Sequence, residues 1–399
     1  MKEIRLGIIG YGGRGQNLLE DVISKFDYAK VVSVCDLRLD RAEKAADYIE
    51  ENTGYRPATT TDYKQTVDNS EVEAVVIISA WESHTEIAVY AMKAGKAIAM
   101  EVGGAYAIED CWKLVNTYEE TKTPFMFLEN CCFGRREMMS LNMLEKGLLG
   151  EIIHCSGSYA HDLRDEISHG NERNHYRLRN YLNRNCENYP THDLGPIAKI
   201  LKINHGNRLL SLTSTASKSK GLKEYIDSGR AEAGLSSDTD FMQGDIITTV
   251  LKTTHGETIV LTLDTTLPRY YSRGFTVRGT KGMYEEATDS VFLDRKEDHA
   301  LDMTWRKERI GNAVDYEAEY DHPIWKEYLD EGVQGTHDGM DYLEFKLFFD
   351  CLLNNKPMPV DVYDAATWMA ISPLSEQSIA CGSAPVEIPD FTRGKWILE

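Results

Sequence analysis

The run IRLGIIG at residues 4–10 is apolar at almost every position, whereas QNLLEDVISKF at 16–26 places Leu18, Leu19, Val22, Ile23 and Phe26 at helical spacing among polar neighbours. That contrast repeats along the first third of the chain. KVVSVCD (30–36), EAVVIISA (73–80), KAIAME (96–101) and PFMFLEN (124–130) read as strands. RAEKAADYIEEN (41–52), HTEIAVYAMKAG (84–95, closed by Gly95) and IEDCWKLVNTYEE (108–120) read as helices. Continuously apolar strands interleaved with helices imply a parallel sheet covered on both faces.

After residue 130 the period changes. REMMSLNMLEKGLLG (136–150) is a further helix ending in glycine, but GDIITTVLKTTHGETIVLTLDTT (244–266) alternates β-branched and polar residues about a His-Gly turn, and RGFTVRGTKGMYEE (273–286) repeats the form. These are antiparallel hairpins. The fold class is therefore α/β: an N-terminal Rossmann dinucleotide-binding domain (1–130) plus a C-terminal α+β domain (131–399) with a large, mainly antiparallel open sheet. DYLEFKLFFDCLLNN (341–355) predicts an amphipathic helix that packs back on the first domain. Residues 287–320 are charge-rich and weakly periodic, as expected of surface excursions. A ligand cleft is expected between the domains.

Within this pattern the stretch GIIGYGGRG (7–15) gains meaning. Gly10, Gly12 and Gly15 fit GxGxxG directly after a strand and at the opening of a helix, and Asp36 ends the second strand 21 residues beyond Gly15. Glycines let the backbone approach a pyrophosphate, and a helix N-terminus meets it with N–H groups and partial positive charge. Asp36 is expected to accept hydrogen bonds from the adenosine ribose and to repel a 2′-phosphate, favouring NAD over NADP. Arg38, two residues on, points the other way.

Composition narrows the partners. Against 44 Lys and Arg the chain carries 64 Asp and Glu, a formal net charge of −20, which repels nucleic acid and anionic lipid; no basic patch offsets it. The eight cysteines show no metal-ligand spacing and read as reduced, mostly buried thiols. MKEIRLGIIG is expected to be a strand and not an export signal, because its apolar stretch is short and Arg14 interrupts it before any cleavage-like site. No run approaches the 18 or so apolar residues of a membrane span, so a cytoplasmic protein is expected. His161 and Asp162 invite a metal or dyad reading, but no spacing supplies a third ligand, so no metal is assigned and Asp162 reads as a local anchor. Met126, Met138, Met139 and Met143 read as core filler.

A nucleotide domain followed by an antiparallel-sheet domain resembles the sugar and inositol dehydrogenases of the glucose-fructose oxidoreductase, inositol dehydrogenase and rhizopine-catabolism family. In AGKAIAMEVGG (94–104), Glu101 occupies the glutamate of that family's Glu-Lys-Pro, and Val102 stands at its lysine. That lysine helps take a proton from the hydroxyl being oxidised, so its absence counts against an ordinary dehydrogenase. GSYAHDLR (157–164), NYPTHDLGP (188–196), HGNRLLSLTSTASKSKGLKEYI (205–226), the two hairpin stretches, HPIW (322–325) and HDGMDY (337–342) resemble glycoside hydrolase family 109, the NAD-dependent α-N-acetylgalactosaminidases, which also lack the lysine.

The resemblance implies that Gly13, Arg14, Asp36, the run Trp81, Glu82, Ser83 and His84, Glu101 with Val102, and Asn130 hold NAD. It implies that Tyr159, Arg177, the run Tyr189, Pro190, Thr191 and His192, and Tyr271 line a sugar. Asp193 and Asp338 stand where the family carries glycine. In the implied chemistry C3 of the sugar is oxidised for a time, the C2 hydrogen becomes acidic, the C1 substituent leaves by elimination, and water and hydride then return. His192 is the first candidate for the C3 hydroxyl, since an imidazole titrates near neutrality. Tyr159 leads at C2 with Tyr189 close behind; a free phenol has a pKa near 10, so a cation such as Arg177, or the oxidised nicotinamide, must lower it. Tyr271 and Asn130 read as positioning groups.

The sequence leaves three functions open: an NAD-dependent glycosidase acting on a small-molecule glycoside, a sugar or inositol dehydrogenase releasing NADH, and a non-catalytic NAD or sugar sensor. Tyr159, Arg177, Tyr189 and His192 together favour catalysis, and Val102 favours the glycosidase. An open sheet face predicts a homodimer or homotetramer.

Overall fold

The strands of the first sheet are β1 (Ile4–Ile9), β2 (Ala29–Cys35), β3 (Ala58–Thr60), β4 (Ala74–Ile77), β5 (Ala97–Glu101) and β6 (Phe125–Leu128). They lie in a computed structural model that describes residues 2–397 except 174, 237 and 296–309. Much of the charge-rich segment 287–320 therefore falls outside the described residues. The chain divides into two units, Met1–Asn130 with Glu331–Ala366, and Cys131–Asp330 with Thr367–Glu399.

In the first unit the order is β3-β2-β1-β4-β5-β6, and every pairing is parallel. Every residue of β4 and β5 is buried, as a sheet covered on both faces requires. The order reverses between β1 and β4, and at such a switch point the loops beyond the strand ends leave room for a ligand. The single helix expected over 16–26 is irregular. It opens at Gly13, widens to a π turn over Leu18–Val22 and tightens to a 3-10 turn over Ile23–Lys25. Leu18, Leu19, Val22 and Ile23 are all buried, which the wider turn accommodates.

The boundary at residue 130 is not the only one, since Glu331–Ala366 groups with the nucleotide fold. The physical reason is an apolar face. Helix Met340–Asn354 stacks Tyr342 on Phe26 at 4.5 Å and sets Phe349 edge-on to the same ring at 5.1 Å.

The second unit holds β7 (Ile152–Ala160), β8 (Leu209–Ala216), β9 (Ile246–Thr253), β10 (Thr258–Asp264), β11 (Thr276–Gly279), β12 (Gly282–Glu285), β13 (Ser290–Leu293) and β14 (Val386–Glu387). Their order is β13-β12-β11-β7-β10-β9-β8-β14. All pairs are antiparallel except β7 with β10, so the sheet is mixed at its centre. Gly256 turns the β9–β10 hairpin at φ +99°, a left-handed conformation that glycine takes without strain. Burial alternates strictly along β9, whose inner face carries Ile247, Thr249, Leu251 and Thr253.

Candidate active site

The glycine loop combines two requirements. A Cβ on Gly10 would stand 2.5 Å from the Ile78 carbonyl oxygen, and one on Gly15 only 2.3 Å from the Gly10 carbonyl oxygen, so packing alone demands glycine at both. Gly12 and Gly13 differ: a Cβ on Gly12 meets nothing closer than 3.8 Å, and one on Gly13 meets nothing within 4 Å. Open space above two glycines at a helix start, beside an acidic strand end, fits a dinucleotide. Asp36 is buried and oriented, its carboxylate accepting the Tyr11 N–H at 2.7 Å and the Arg38 N–H at 2.9 Å. The Arg38 side chain is turned to Asp40, 2.8 Å away.

The other residues matched to NAD gather in the same unit. Trp81 opens helix Trp81–Lys93, and its indole lies so close to Gly103 that a Cβ there would fall 2.6 Å from Cδ1. Ser83 donates to the Ala80 carbonyl at 2.8 Å, and Glu82 is exposed. His84 is buried with Nε2 2.8 Å from the Ser79 carbonyl, and burial lowers its pKa, so the ring is neutral. Glu101 accepts from Arg14 Nε at 2.7 Å and from the Val102 N–H at 3.0 Å. Asn130 donates to Asp341 at 2.8 Å.

The residues matched to the sugar gather in the second unit. Tyr159 lies near the end of β7, and helix Thr191–Ile200 packs so tightly there that a Cβ on Gly157 would stand 2.5 Å from the Asp193 carbonyl oxygen. That close approach brings the Tyr189–His192 segment to Tyr159. The Tyr159 and Tyr189 ring centroids are 4.3 Å apart, and His192 lies 5.4 Å from the first and 4.8 Å from the second. Tyr189 Oη is 3.5 Å from His192 Nε2, a long hydrogen bond. Pro190 caps the helix and Thr191 is buried beneath it. Arg177, buried on helix Tyr176–Asn183, sets its guanidinium 4.9 Å from the Tyr189 ring and 5.7 Å from the Tyr159 ring. Tyr271 is half exposed, with His161 edge-on to it at 5.2 Å.

Electrostatics alters one expectation. Burial raises the Tyr159 phenol above its ordinary value, and Arg177 opposes this without reversing it, so the cation alone does not produce a phenolate. Part of the reason is Glu166, which pairs with Arg177 Nε at 2.6 Å; burial opposes its charge, but Arg177, His175 and His161 hold the carboxyl below its ordinary value. Burial also lowers His161, whose Nδ1 lies 3.4 Å from Tyr159 Oη. Burial takes His175 down to about 4.

Three participants were not legible beforehand. Glu166 and His175 sit in a charged stretch whose spacing suggests only a solvated face, and Asp341 looked like one polar position on an amphipathic helix. Asp162 does anchor its own turn, pairing with Arg164 at 2.6 Å. The two departures from glycine have local accounts. Asp338 takes φ +53°, a left-handed turn that glycine fills without strain and aspartate tolerates; Asp193 is buried in the first turn of helix Thr191–Ile200, where the helix dipole favours an acid.

This arrangement defines a class of protein, an NAD-binding Rossmann domain joined to a sheet domain. Residues 4–128 match the oxidoreductase family, NAD-binding Rossmann fold, and residues 133–398 match the glycosyl hydrolase 109 C-terminal domain. The chain is 38% identical to an α-N-acetylgalactosaminidase of Tannerella forsythia, over 99% of this chain and 87% of that one. It is 36% identical to a glycosyl hydrolase family 109 protein of Stenotrophomonas maltophilia, over 99% and 90%. The chain belongs to glycosyl hydrolase family 109. Its fold is shared by a levoglucosan dehydrogenase in complex with NADH and levoglucosan (TM-score 0.72, 18% identity, 97% of this chain and 100% of that one). An apo scyllo-inositol dehydrogenase of Lactobacillus casei is also similar (TM-score 0.68, 14% identity, 97% and 98%).

Proposed function

We propose that the protein is an NAD-dependent glycosidase for an α-linked N-acetylhexosaminide such as an α-N-acetylgalactosaminide. The observation that carries the reading is the convergence of Tyr159, Tyr189, His192 and Arg177, with ring centroids 4.3–5.4 Å apart, in the unit that matches the family's C-terminal domain. The first unit supports it through Gly12, Gly13, Arg14, Asp36, Glu101 and Asn130, which would hold NAD. Bound NAD supplies one capability, reversible acceptance of hydride from C3.

The remaining work falls to side chains. His192 takes the C3 hydroxyl proton and later returns it. Tyr159 removes the C2 proton, so the C2–H electron pair forms the C1–C2 double bond as the C1–O bond breaks toward the leaving group. Water then adds, its oxygen to C1 and a proton to C2, and C3 is reduced again; the sum is hydrolysis with no net redox change. Arg177 supplies positive charge for the developing enolate and for the Tyr159 phenolate, Tyr189 orients His192, and Tyr271 bounds the ring. Val102, where a dehydrogenase of this fold carries lysine, supports elimination over release of NADH.

The experiment is a panel of aryl glycosides in heavy water, following aglycone, the reduced-nicotinamide band and deuterium at C2. Aglycone with C2 deuterium and no net NADH is expected; stoichiometric NADH without aglycone refutes the reading, and silence in all channels points to a sensor. His192→Ala should abolish turnover and leave NAD affinity within about twofold; a large loss of NAD binding would contradict its placement.

Among the described residues no helix is long and apolar enough to cross a membrane. The eight free cysteines, seven of them buried, support a reducing, cytoplasmic setting. The outer face of the second sheet, which exposes Ile153, Leu210 and Val250, supports a homodimer or homotetramer.

A further inference from the structure

Two of the side chains assigned to NAD, Arg14 and Asn130, share a hub that lies outside the nucleotide-binding sequence, and a third, Glu101, joins it through Arg14. Asp341, on helix Met340–Asn354, is fully buried. Its carboxylate accepts both terminal nitrogens of Arg14, at 2.8 and 2.9 Å, and the Asn130 amide at 2.8 Å. Thr336 Oγ1 donates to it at 2.8 Å, and His337 Nδ1 lies 2.7 Å away. The third donor of the Arg14 guanidinium, Nε, is taken by Glu101 at 2.7 Å. A planar guanidinium held by a two-point contact on one edge and a single contact on the other has little rotational freedom.

We propose that Asp341 is a positioning residue of the cofactor site, fixing Arg14 and Asn130 against Glu101 so that the site is already formed before NAD enters. The segment Glu331–Ala366 is then a structural component of the cofactor site, although it lies some two hundred residues beyond the nucleotide-binding sequence. Charge supports this. The Asp341 carboxyl is held well below its ordinary range, burial being overcome by hydrogen bonds from Arg14 and His337. Glu344, one turn on and also fully buried, is pushed well up by burial and by the Glu101 and Asp341 charges. Pre-organisation of this kind raises affinity by removing the ordering cost at binding.

The proposal rests on the assignment of Arg14, Glu101 and Asn130 to NAD, and its test separates the two. NAD affinity is measured by calorimetry on the purified full chain, with circular dichroism as a check of folding. Asp341→Asn should weaken NAD about ten- to hundredfold, the worth of hydrogen bonds to a charged group. In an Arg14→Gln background the same change should cost at least about threefold less, the remaining loss passing through Asn130. Equal losses in both backgrounds would mean a merely structural role and would overturn the proposal, as would wild-type affinity in Asp341→Asn. Where the amide prevents folding, Asp341→Glu keeps the charge and misplaces it by one methylene; about tenfold weaker NAD is expected, and wild-type affinity overturns the proposal. If instead Arg14→Gln and Asn130→Ala both bind NAD normally, the underlying assignment fails.

Discussion

Replacing Arg177 by methionine tests the electrostatics of the proposed sugar site most directly. The substitution keeps an unbranched stem and removes a guanidinium whose side chain is 7% exposed. Two effects should separate. Glu166 loses its 2.6 Å partner and keeps His175 at 3.6 Å. Breaking a fully buried pair costs about 3–5 kcal/mol, but the Glu166 side chain is 35% exposed, and solvent screening reduces the expectation to about 2 kcal/mol. For a protein of this size that is a fall in Tm of roughly 2–3 °C.

The second effect is on Tyr159. At the 5.7 Å separation of guanidinium and ring, an effective dielectric near 20 gives about 3 kcal/mol between unit charges. Glu166 cancels part of it, so the neutral-pH rate should fall about ten- to hundredfold. The sign is fixed. Burial already raises the phenol and Arg177 opposes that rise, so losing the cation raises it further, and a base that works when deprotonated recovers as pH increases. The assay is kcat for aglycone release from pH 6 to 10, beside a thermal melt. An unshifted pH profile with a lowered Tm would refute the electrostatic role, and no change in either would refute the whole argument.

Three further outcomes are expected from the structure. Asp36→Ser should weaken NAD about tenfold and admit NADP, read by calorimetry with both cofactors, since the carboxylate is oriented by two backbone N–H groups; unchanged preference would count against its ribose role. Gly15→Ala should lower stability by about 1–3 kcal/mol or prevent folding, because the added methyl meets the Gly10 carbonyl at 2.3 Å; a wild-type melting curve would show that the loop yields. Burial takes the Glu187 carboxyl up to about 8, against backbone N–H groups of Tyr189 and Leu263 that oppose the rise. Its stabilising contribution is complete below the unfolded value near 4.3 and is lost as pH climbs through about 8, by a few kcal/mol. Tm measured from pH 4 to 9 should fall less steeply in Glu187→Gln, and parallel curves would refute the shift.

Much of the first unit was legible because its signals are local. Apolar runs long enough to be strands, helical periods between them and three glycines at fixed offsets report backbone geometry within a few residues, and Asp36 follows from the length of one βαβ step. Glycine in particular is unambiguous where a Cβ would strike a carbonyl, as at Gly10 and Gly15. The sugar-site residues were named through resemblance, since a tyrosine or histidine alone in sequence reads equally well as packing.

What the chain's linear order determined, then, is the nucleotide fold, its cofactor class and the family. Tertiary structure alone decided which charges meet. The pairing of Arg177 with Glu166, the balance that leaves the Tyr159 phenol raised, and the hold of Asp341 on Arg14 across 327 positions of sequence arise from side chains brought within a few ångströms by packing. Electrostatic energy depends on that separation and on the water excluded around it, and neither quantity is written in the order of residues.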